Sequence, residues 1–218
     1  MNNWEEGSYR EQERFIVEWS KLGALSEEFA DKMAGLASLG MESFNDVEVD
    51  FLTANPEAMD QDPSLAVFKG LKGNELTKSM NTKLHHFFHI RPSDLSDEKR
   101  SFVADAFYYV VTIKERSSDK ILGFVTYLSG GPVPKDEYKI IVLAVDTSSR
   151  RIGLGGFLIS FLEKMGIKSN KLFLCTRPSN SIAINAYKKW GFIEDDEAKK
   201  SAPPQFIQGH WIFLARFL

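Results

Sequence analysis

The chain has 218 residues, with 27 Lys and Arg against 30 Asp and Glu, for a formal net charge of -3. Hydrophobic residues at 43% and charged residues at 26% are those of an ordinary globular protein, which excludes collagen-like, disordered and disulfide-scaffold classes. The single cysteine, Cys175, permits no internal disulfide, and a pI near 5.9 argues against a basic nucleic-acid module. No apolar run approaches the roughly 20 residues of a spanning helix, and the start MNNWEEGSYREQER has no apolar core of a signal peptide. A cytoplasmic protein with no membrane and no nucleic-acid partner is the expectation. The charge is unevenly spread: residues 1–60 carry 14 acidic and 4 basic side chains, residues 61–218 carry 16 and 23. That division suits a body that holds a polyanion, or two solvated faces of opposite sign.

Two short helices are predicted over residues 8–40. The first carries Phe15, Ile16 and Trp19 at helical spacing. The second starts at the N-cap Ser26, runs with Phe29, Met33 and Leu36 as its apolar stripe, and ends at Gly40. VEVDFLTA (47–54) alternates like a half-buried strand, and helical pieces fill 63–89 after Asp62-Pro63, interrupted at Gly70 and Gly73. A short helix follows Ser96. FYYVVTIKER (107–116) and ILGFVTYLS (121–129) form a hairpin about the polar turn Ser117–Lys120. YKIIVLAVD (138–146) is a nearly continuous apolar run, as expected of a central strand covered on both faces. Beyond a polar turn come the helix GLGGFLISFLEKMG, the strand KLFLCT (171–176), the helix NSIAINAYKKWGF and a last strand in GHWIFLARFL. The fold class is therefore α/β, mixed: one central mixed sheet flanked by helices, with an N-terminal helical extension over 1–45 and a domain over 46–218.

The turn Arg150-Arg151-Ile152-Gly153-Leu154-Gly155-Gly156 joins a buried strand to a helix. The first amides of a helix lack internal partners, and the helix dipole adds partial positive charge there. Glycines let a ligand come close to the backbone. With two arginines beside them, these donors make a phosphate or pyrophosphate cradle. It is not a P-loop, because Gly155 is followed by Gly-Phe. It is not a dinucleotide fingerprint, because Leu158 stands where the third glycine belongs. A second constellation follows one helix and one strand later. Asn180, Ala183, Tyr187 and Gly191 share a helix face, with Gly191-Phe192 closing the helix and opening a strand.

Together these motifs resemble those of the GNAT superfamily of acyl-coenzyme A-dependent N-acetyltransferases. R/Q-x-x-G-x-G/A is matched by Arg150 to Gly155, and N-x-x-A-x-x-x-Y-x-x-x-G-F by Asn180, Ala183, Tyr187, Gly191 and Phe192. The resemblance covers residues 105–218. It implies that acetyl-CoA is the co-substrate and an amine the acceptor: a small molecule, a peptide N-terminus or a lysine. It implies that the backbone of Leu143, Ala144 and Val145 pairs with the pantetheine arm in a gap beside the central strand. The amides of Arg151, Ile152, Gly153, Leu154, Gly155 and Gly156 then hold the pyrophosphate, with Arg150 beside them. Asn180 hydrogen-bonds the pantetheine, and Tyr187 protonates the leaving thiolate as general acid.

The general base stays open. Lys139 stands where family members often carry a glutamate, and Glu137, Asp146, His210 and a water chain are the alternatives. Cys175 reads as packing within an apolar strand. No metal is expected: the cluster His85, His86 and His89 lacks the glutamate of H-E-x-x-H. A non-catalytic acyl-CoA-binding sensor or interaction module is the alternative function, and a different nucleotide-binding α/β enzyme a third. The acidic segment 1–60 reads as a field that draws in a cationic amine, a lid, or the contact of a homodimer.

Overall fold

The computed structural model describes residues 14–21, 25–37, 107–130, 136–164, 170–200 and 211–218, with short pieces at 54, 69–71, 74–76, 78–79, 82 and 133. Among them, seven strands form one sheet: β1 (Phe15–Lys21), β2 (Phe107–Glu115), β3 (Ile121–Ser129), β4 (Glu137–Val145), β5 (Lys171–Thr176), β6 (Ile193–Glu194) and β7 (Ile212–Phe217). Their spatial order is β1-β2-β3-β4-β5-β7-β6, antiparallel throughout except between β4 and β5. The helices are α1 (27–37), α2 (Leu154–Lys164), α3 (Ser181–Lys189) and α4 (Asp196–Lys200). This is the mixed α/β architecture expected.

The hairpin β2–β3 forms as predicted. Its turn is closed by the Glu115 amide on the Lys120 carbonyl at 2.8 Å, with Asp119 in the left-handed region. The helix expected from Ser26 also forms, and the Ser26 hydroxyl accepts from the Phe29 amide at 3.2 Å. Positions 74–76, 78–79 and 82 are helical, and a turn stands at 69–70. The strand expected at 47–54 lies outside the described residues except for Ala54, which is helical. The rest of the helical pieces over 63–89, the helix after Ser96, the histidine cluster, His210 and the segment 201–208 lie outside the described residues.

The segment predicted as the first helix is instead the edge strand β1. Phe15, Ile16 and Trp19 fit a helical period, but Phe15, Val17 and Trp19 equally fit an alternating one. The open edge of β2 decides between them by pairing every residue from Phe15↔Glu115 to Lys21↔Tyr109. Side chains reinforce that choice. Trp19 stacks on Tyr109 at 5.1 Å, Tyr109 on Tyr127 at 5.3 Å, and Tyr127 meets Tyr138 edge-on at 5.6 Å, a row across four strands. The Trp19 indole N–H donates to the Tyr127 hydroxyl at 2.9 Å. Burial outweighs that bond and pushes the Tyr127 phenol up to about 12. Lys114 on β2, buried, pairs with Glu18 at 2.8 Å.

The sheet has two packed faces. On one, Val111, Ile113, Val125, Tyr127, Ile140 and Leu172 meet Leu158, Ile159 and Leu162 of α2 and Tyr187 of α3. On the other, Val110, Phe124 and Ala144 meet Ala30, Met33, Ala34 and Ala37 of α1. A satellite cluster on that second face joins Phe173, Phe213 and Ala215 to Ala198 of α4. The strand that is buried nearly end to end is β3, not β4. In β4 only Ile140 and Ala144 are fully buried, because β4 parts from β5 after three residues.

Lys171 is buried at the start of β5, with its ammonium 2.8 Å from Asp195 and 3.7 Å from Glu137. Burial alone would raise the Asp195 carboxyl. Lys171 and the amides of Ala198 and Glu197 outweigh it and hold the group below its ordinary value of 3.8. A depressed folded-state value stabilises the fold above the unfolded value and is lost as pH falls through the folded one. Asp195→Asn should therefore cost about 2–3 kcal/mol at neutral pH. The variant should also lose less stability than wild type on acidification, which urea unfolding at about pH 3, 5 and 7 checks.

Candidate functional site

The site grows from the fork between β4 and β5. Their parallel ladder holds only Glu137↔Lys171, Tyr138↔Leu172 and Lys139↔Phe173. Beyond it β5 stays with β7, paired through Thr176↔Ile212, while β4 follows β3. The register of β3 on β4 slips between Thr126↔Val142 and Tyr127↔Ile140, so Ile141 is an extra, bulged residue. The Thr126 hydroxyl accepts the Val142 amide at 3.1 Å across the irregularity. Among the described residues, no strand lies opposite the β5-facing backbone of β4 from Ile140 to Val145, the stretch that contains Leu143, Ala144 and Val145.

β4 leads into a tight turn. The Asp146 amide donates to the Leu122 carbonyl at 2.8 Å, and its carboxylate accepts from the Ser148 amide at 2.9 Å, caps a short 3-10 turn (Thr147–Ser149) and meets Lys120 at 3.1 Å. The Ser148 hydroxyl also bonds that carboxylate. Burial works against the charged form, but Ser148 and Lys120 outweigh it and hold the carboxyl below its usual range. Asp146 is thus committed to shaping the turn. Glu137 stands eight residues away at the far end of β4, about 26 Å of strand from Val145, and faces Lys171. Glu137 thus stands far from Leu143–Val145, and the Asp146 carboxylate, although next to Val145 in the chain, is taken up by Ser148 and Lys120.

Arg151 and Gly153 both lie in the left-handed region, at φ 67° and 92°. This turns the chain so that α2 starts at Leu154, and the first helical bond is Phe157 N–H to Gly153 O at 2.9 Å. The amides of Leu154, Gly155 and Gly156 therefore have no helical partner. Among the described residues beyond its chain neighbours, no atom lies within 4 Å of where a Cβ on Gly153 would stand. Gly155 and Gly156 are small for another reason. A Cβ on Gly155 would stand 2.7 Å from Cη2 of Trp190, and one on Gly156 3.0 Å from its Nε1. Gly155 and Gly156 thus leave space for an indole. Arg150 folds back, its Nε donating to the Val145 carbonyl at 3.3 Å.

Asn180 is the N-cap of α3. Its Oδ1 accepts the Ala183 amide at 3.3 Å, and its Nδ2 donates to the Thr176 hydroxyl at the end of β5 at 3.4 Å. An asparagine at the mouth of a helix is a good cap, and Asn180 serves as one here. Tyr187, one face further along α3, is buried edge-on to Trp190 at 5.6 Å and Phe192 at 5.5 Å. Burial, and secondarily the nearby Cys175, push its phenol far above its ordinary range, so it stays protonated. Burial also raises the Cys175 thiol, against the fields of Lys139 and Arg177. The fold thus brings Gly155 and Tyr187 to one residue, Trp190, and the Leu143 side chain lies 3.8 Å from the same Gly155 position. Among the described residues no cluster of His, Cys, Asp and Glu suits a metal, and no helix is long and apolar enough to cross a membrane.

A forked parallel pair feeding a left-handed turn and a helix N-terminus defines a class, and comparison with known proteins agrees. The model of the acetyltransferase (GNAT) family matches residues 74–192, more than half of the chain, and the chain belongs to that family. The catalytic subunit of the N-terminal acetyltransferase B complex of Schizosaccharomyces pombe is 31% identical over 85 residues, which cover 38% of this chain and 47% of that protein. The match spans about half the length of that curated relative. Among solved structures, the PaiA N-acetyltransferase of Thermoplasma acidophilum, crystallised in complex with coenzyme A, superposes with a TM-score of 0.54 at 15% identity. It covers 93% of this chain and 99% of its own. A GNAT-family acetyltransferase of Staphylococcus aureus superposes with a TM-score of 0.50 at 11% identity over the same shares. These two likenesses are of fold.

Proposed function

We propose that this protein transfers an acetyl group from acetyl-CoA to an amine by direct attack in a ternary complex. The observation that carries the reading is the fork: among the described residues the β5-facing edge of β4 beyond Lys139 has no strand opposite it, and the chain then turns into a helix start whose first three amides have no helical partner. An extended amide-bearing arm fits the first, and a pyrophosphate the second. Acetyl-CoA supplies the activated thioester. Leu143, Ala144 and Val145 pair with its arm, and Arg151 to Gly156 hold its pyrophosphate with Arg150 alongside. Asn180 keeps one amide hydrogen for the arm while it caps α3. The amine nitrogen attacks the thioester carbon, the C–S bond breaks and Tyr187 hands a proton to the departing thiolate, while the proton shed by the nitrogen passes to solvent and the phenol is re-protonated. With ordinary pKa values of about 8.5 for a thiol and about 10 for tyrosine the proton transfer alone is uphill and is driven by cleavage of the C–S bond; burial keeps Tyr187 in its protonated form.

The S. pombe relative makes a peptide N-terminus the first acceptor to try, before small amines and lysine. In this reading residues 46–218 form the transferase domain, and β1 and α1, from within the acidic first 45 residues, serve as its edge strand and the cover of one face. The low pI and single cysteine support a cytoplasmic protein without a nucleic-acid partner. A specific observation favours the alternative of a non-catalytic acyl-CoA sensor: Lys139 replaces the expected acid, and Asp146 and Glu137 are engaged elsewhere. Calorimetry with acetyl-CoA, followed by a thiol-release assay over a panel of amines, separates the two. Binding with amine-dependent release is the expected result. Binding with no release from any amine moves the conclusion to the sensor, and no binding by folded protein overturns both.

A further inference from the structure

Trp190 occupies a position that neither sequence motif specifies, yet it touches both halves of the site. Its six-membered ring lies over Gly155, with Cη2 and Cζ2 at 2.7 and 2.9 Å from a would-be Cβ, and its pyrrole edge lies over Gly156 at 3.0 and 3.3 Å. A methyl group on Gly155 would force the indole to shift, and one on Gly156 would need it to give by a few tenths of an ångström. The same indole meets the Tyr187 ring edge-on at 86°. The backbone beneath it is pinned from two elements. Arg216 on β7 donates from Nη1 to the Trp190 carbonyl at 2.6 Å, and its Nη2 pairs with Glu163 on α2 at 2.8 Å. Gly191 next to it takes the left-handed φ of 84° that ends α3, and the Arg216 side chain runs 3.7–3.9 Å from its would-be Cβ.

We infer that Trp190 is a positioning residue, set by Arg216 and Glu163, that fixes the first turn of α2 against Tyr187. The distance between the pyrophosphate donors and the proton donor is then determined by one rigid aromatic wedge. The inference rests on the proposed function, in which those two groups grip opposite ends of one bound molecule. A misplacement of about 1 Å in such an arrangement lowers turnover by up to about 10²-fold.

The test is a double-mutant cycle between Gly155→Ala and Trp190→Phe, read as KM for acetyl-CoA and kcat, with thermal melting of all four proteins. Gly155→Ala is expected to raise KM about tenfold and to lower kcat several-fold, because the added methyl drives the indole off both groups. Trp190→Phe, which removes the ring over Gly155, is expected to raise KM about threefold. The double variant should match Trp190→Phe alone, since the methyl is then left with the Leu143 side chain at an ordinary 3.8 Å. Should Gly155→Ala fail to fold, Gly156→Ala paired with Trp190→Ala, which removes the pyrrole edge as well, replaces it. Additive changes in KM, or a Gly155→Ala protein with wild-type KM and kcat, overturn the role of Trp190 while wild-type binding keeps the proposed function. Coupling in thermal melting together with no acetyl-CoA binding by wild type overturns the proposed function, and this role with it.

Discussion

Tyr187→Phe should lower amine-dependent thiol release by about 10²-fold or more, with acetyl-CoA affinity close to wild type. The substitution removes one hydroxyl and keeps the ring that packs against Trp190 and Phe192, so the core contacts of α3 persist. Its predicted pH behaviour is distinctive. Burial raises the Tyr187 phenol far above its usual range, so the proton is present at every working pH. The variant's deficit should thus be the same at about pH 7 and pH 9, rather than shrinking as an ordinary phenol of pKa about 10 begins to ionise. Steady-state rates across that range, with calorimetric Kd for acetyl-CoA beside them, provide the check. An unchanged rate removes Tyr187 from the chemistry, and a lost Kd with unchanged kcat makes it a binding residue.

Phe124→Ala should destabilise the fold by about 3–5 kcal/mol, the range for emptying a large aromatic site in a packed core. Phe124 has no solvent exposure. It pairs across β3 with Thr112 on one side and Ala144 on the other, and packs in the cluster that holds α1 on the sheet. The small residues Ala30, Ala34 and Ala37 bring α1 close enough for the ring to fill the space between them. Removal of the ring should therefore loosen α1 as well, seen as faster amide hydrogen exchange over 27–37. Ile182→Ala, on an exposed turn of α3 with 73% of its surface open, is the matched control and should change stability by less than about 0.5 kcal/mol. Urea unfolding of the three proteins decides. A small loss for Phe124→Ala would mean that α1 is not docked through this ring.

Much of the architecture was readable from local chemistry. The hairpin announces itself by two β-rich runs about a polar turn, α1 by the Ser26 cap and its apolar stripe, and α3 by Asn180 at one end and Gly191 at the other. The turn from Arg150 to Gly156 is legible as an anion cradle because strand, glycine and helix start are contiguous in the chain. Those signals act within a few residues, so a sequence contains them complete.

Other features depend on partners that are distant in sequence. Residues 15–21 satisfy two periods at once, and only the free edge of β2, about ninety residues later, selects the strand. The fork arises because β5 is captured by β7 while a bulge at Ile141 carries β4 with β3, a competition no single segment records. Gly155 and Gly156 look like ligand clearance until Trp190 is placed on them, and Asp146 looks like an available acid until Ser148 and Lys120 close on it. Local sequence was enough for the β2–β3 hairpin, for α1, α2 and α3, for the glycine-bearing strand-to-helix turn and for the family, but not for β1. Which strands separate, which polar groups are already engaged and which side chain covers Gly155 emerge only in three dimensions, because each is set by packing and hydrogen bonding between elements far apart in the chain.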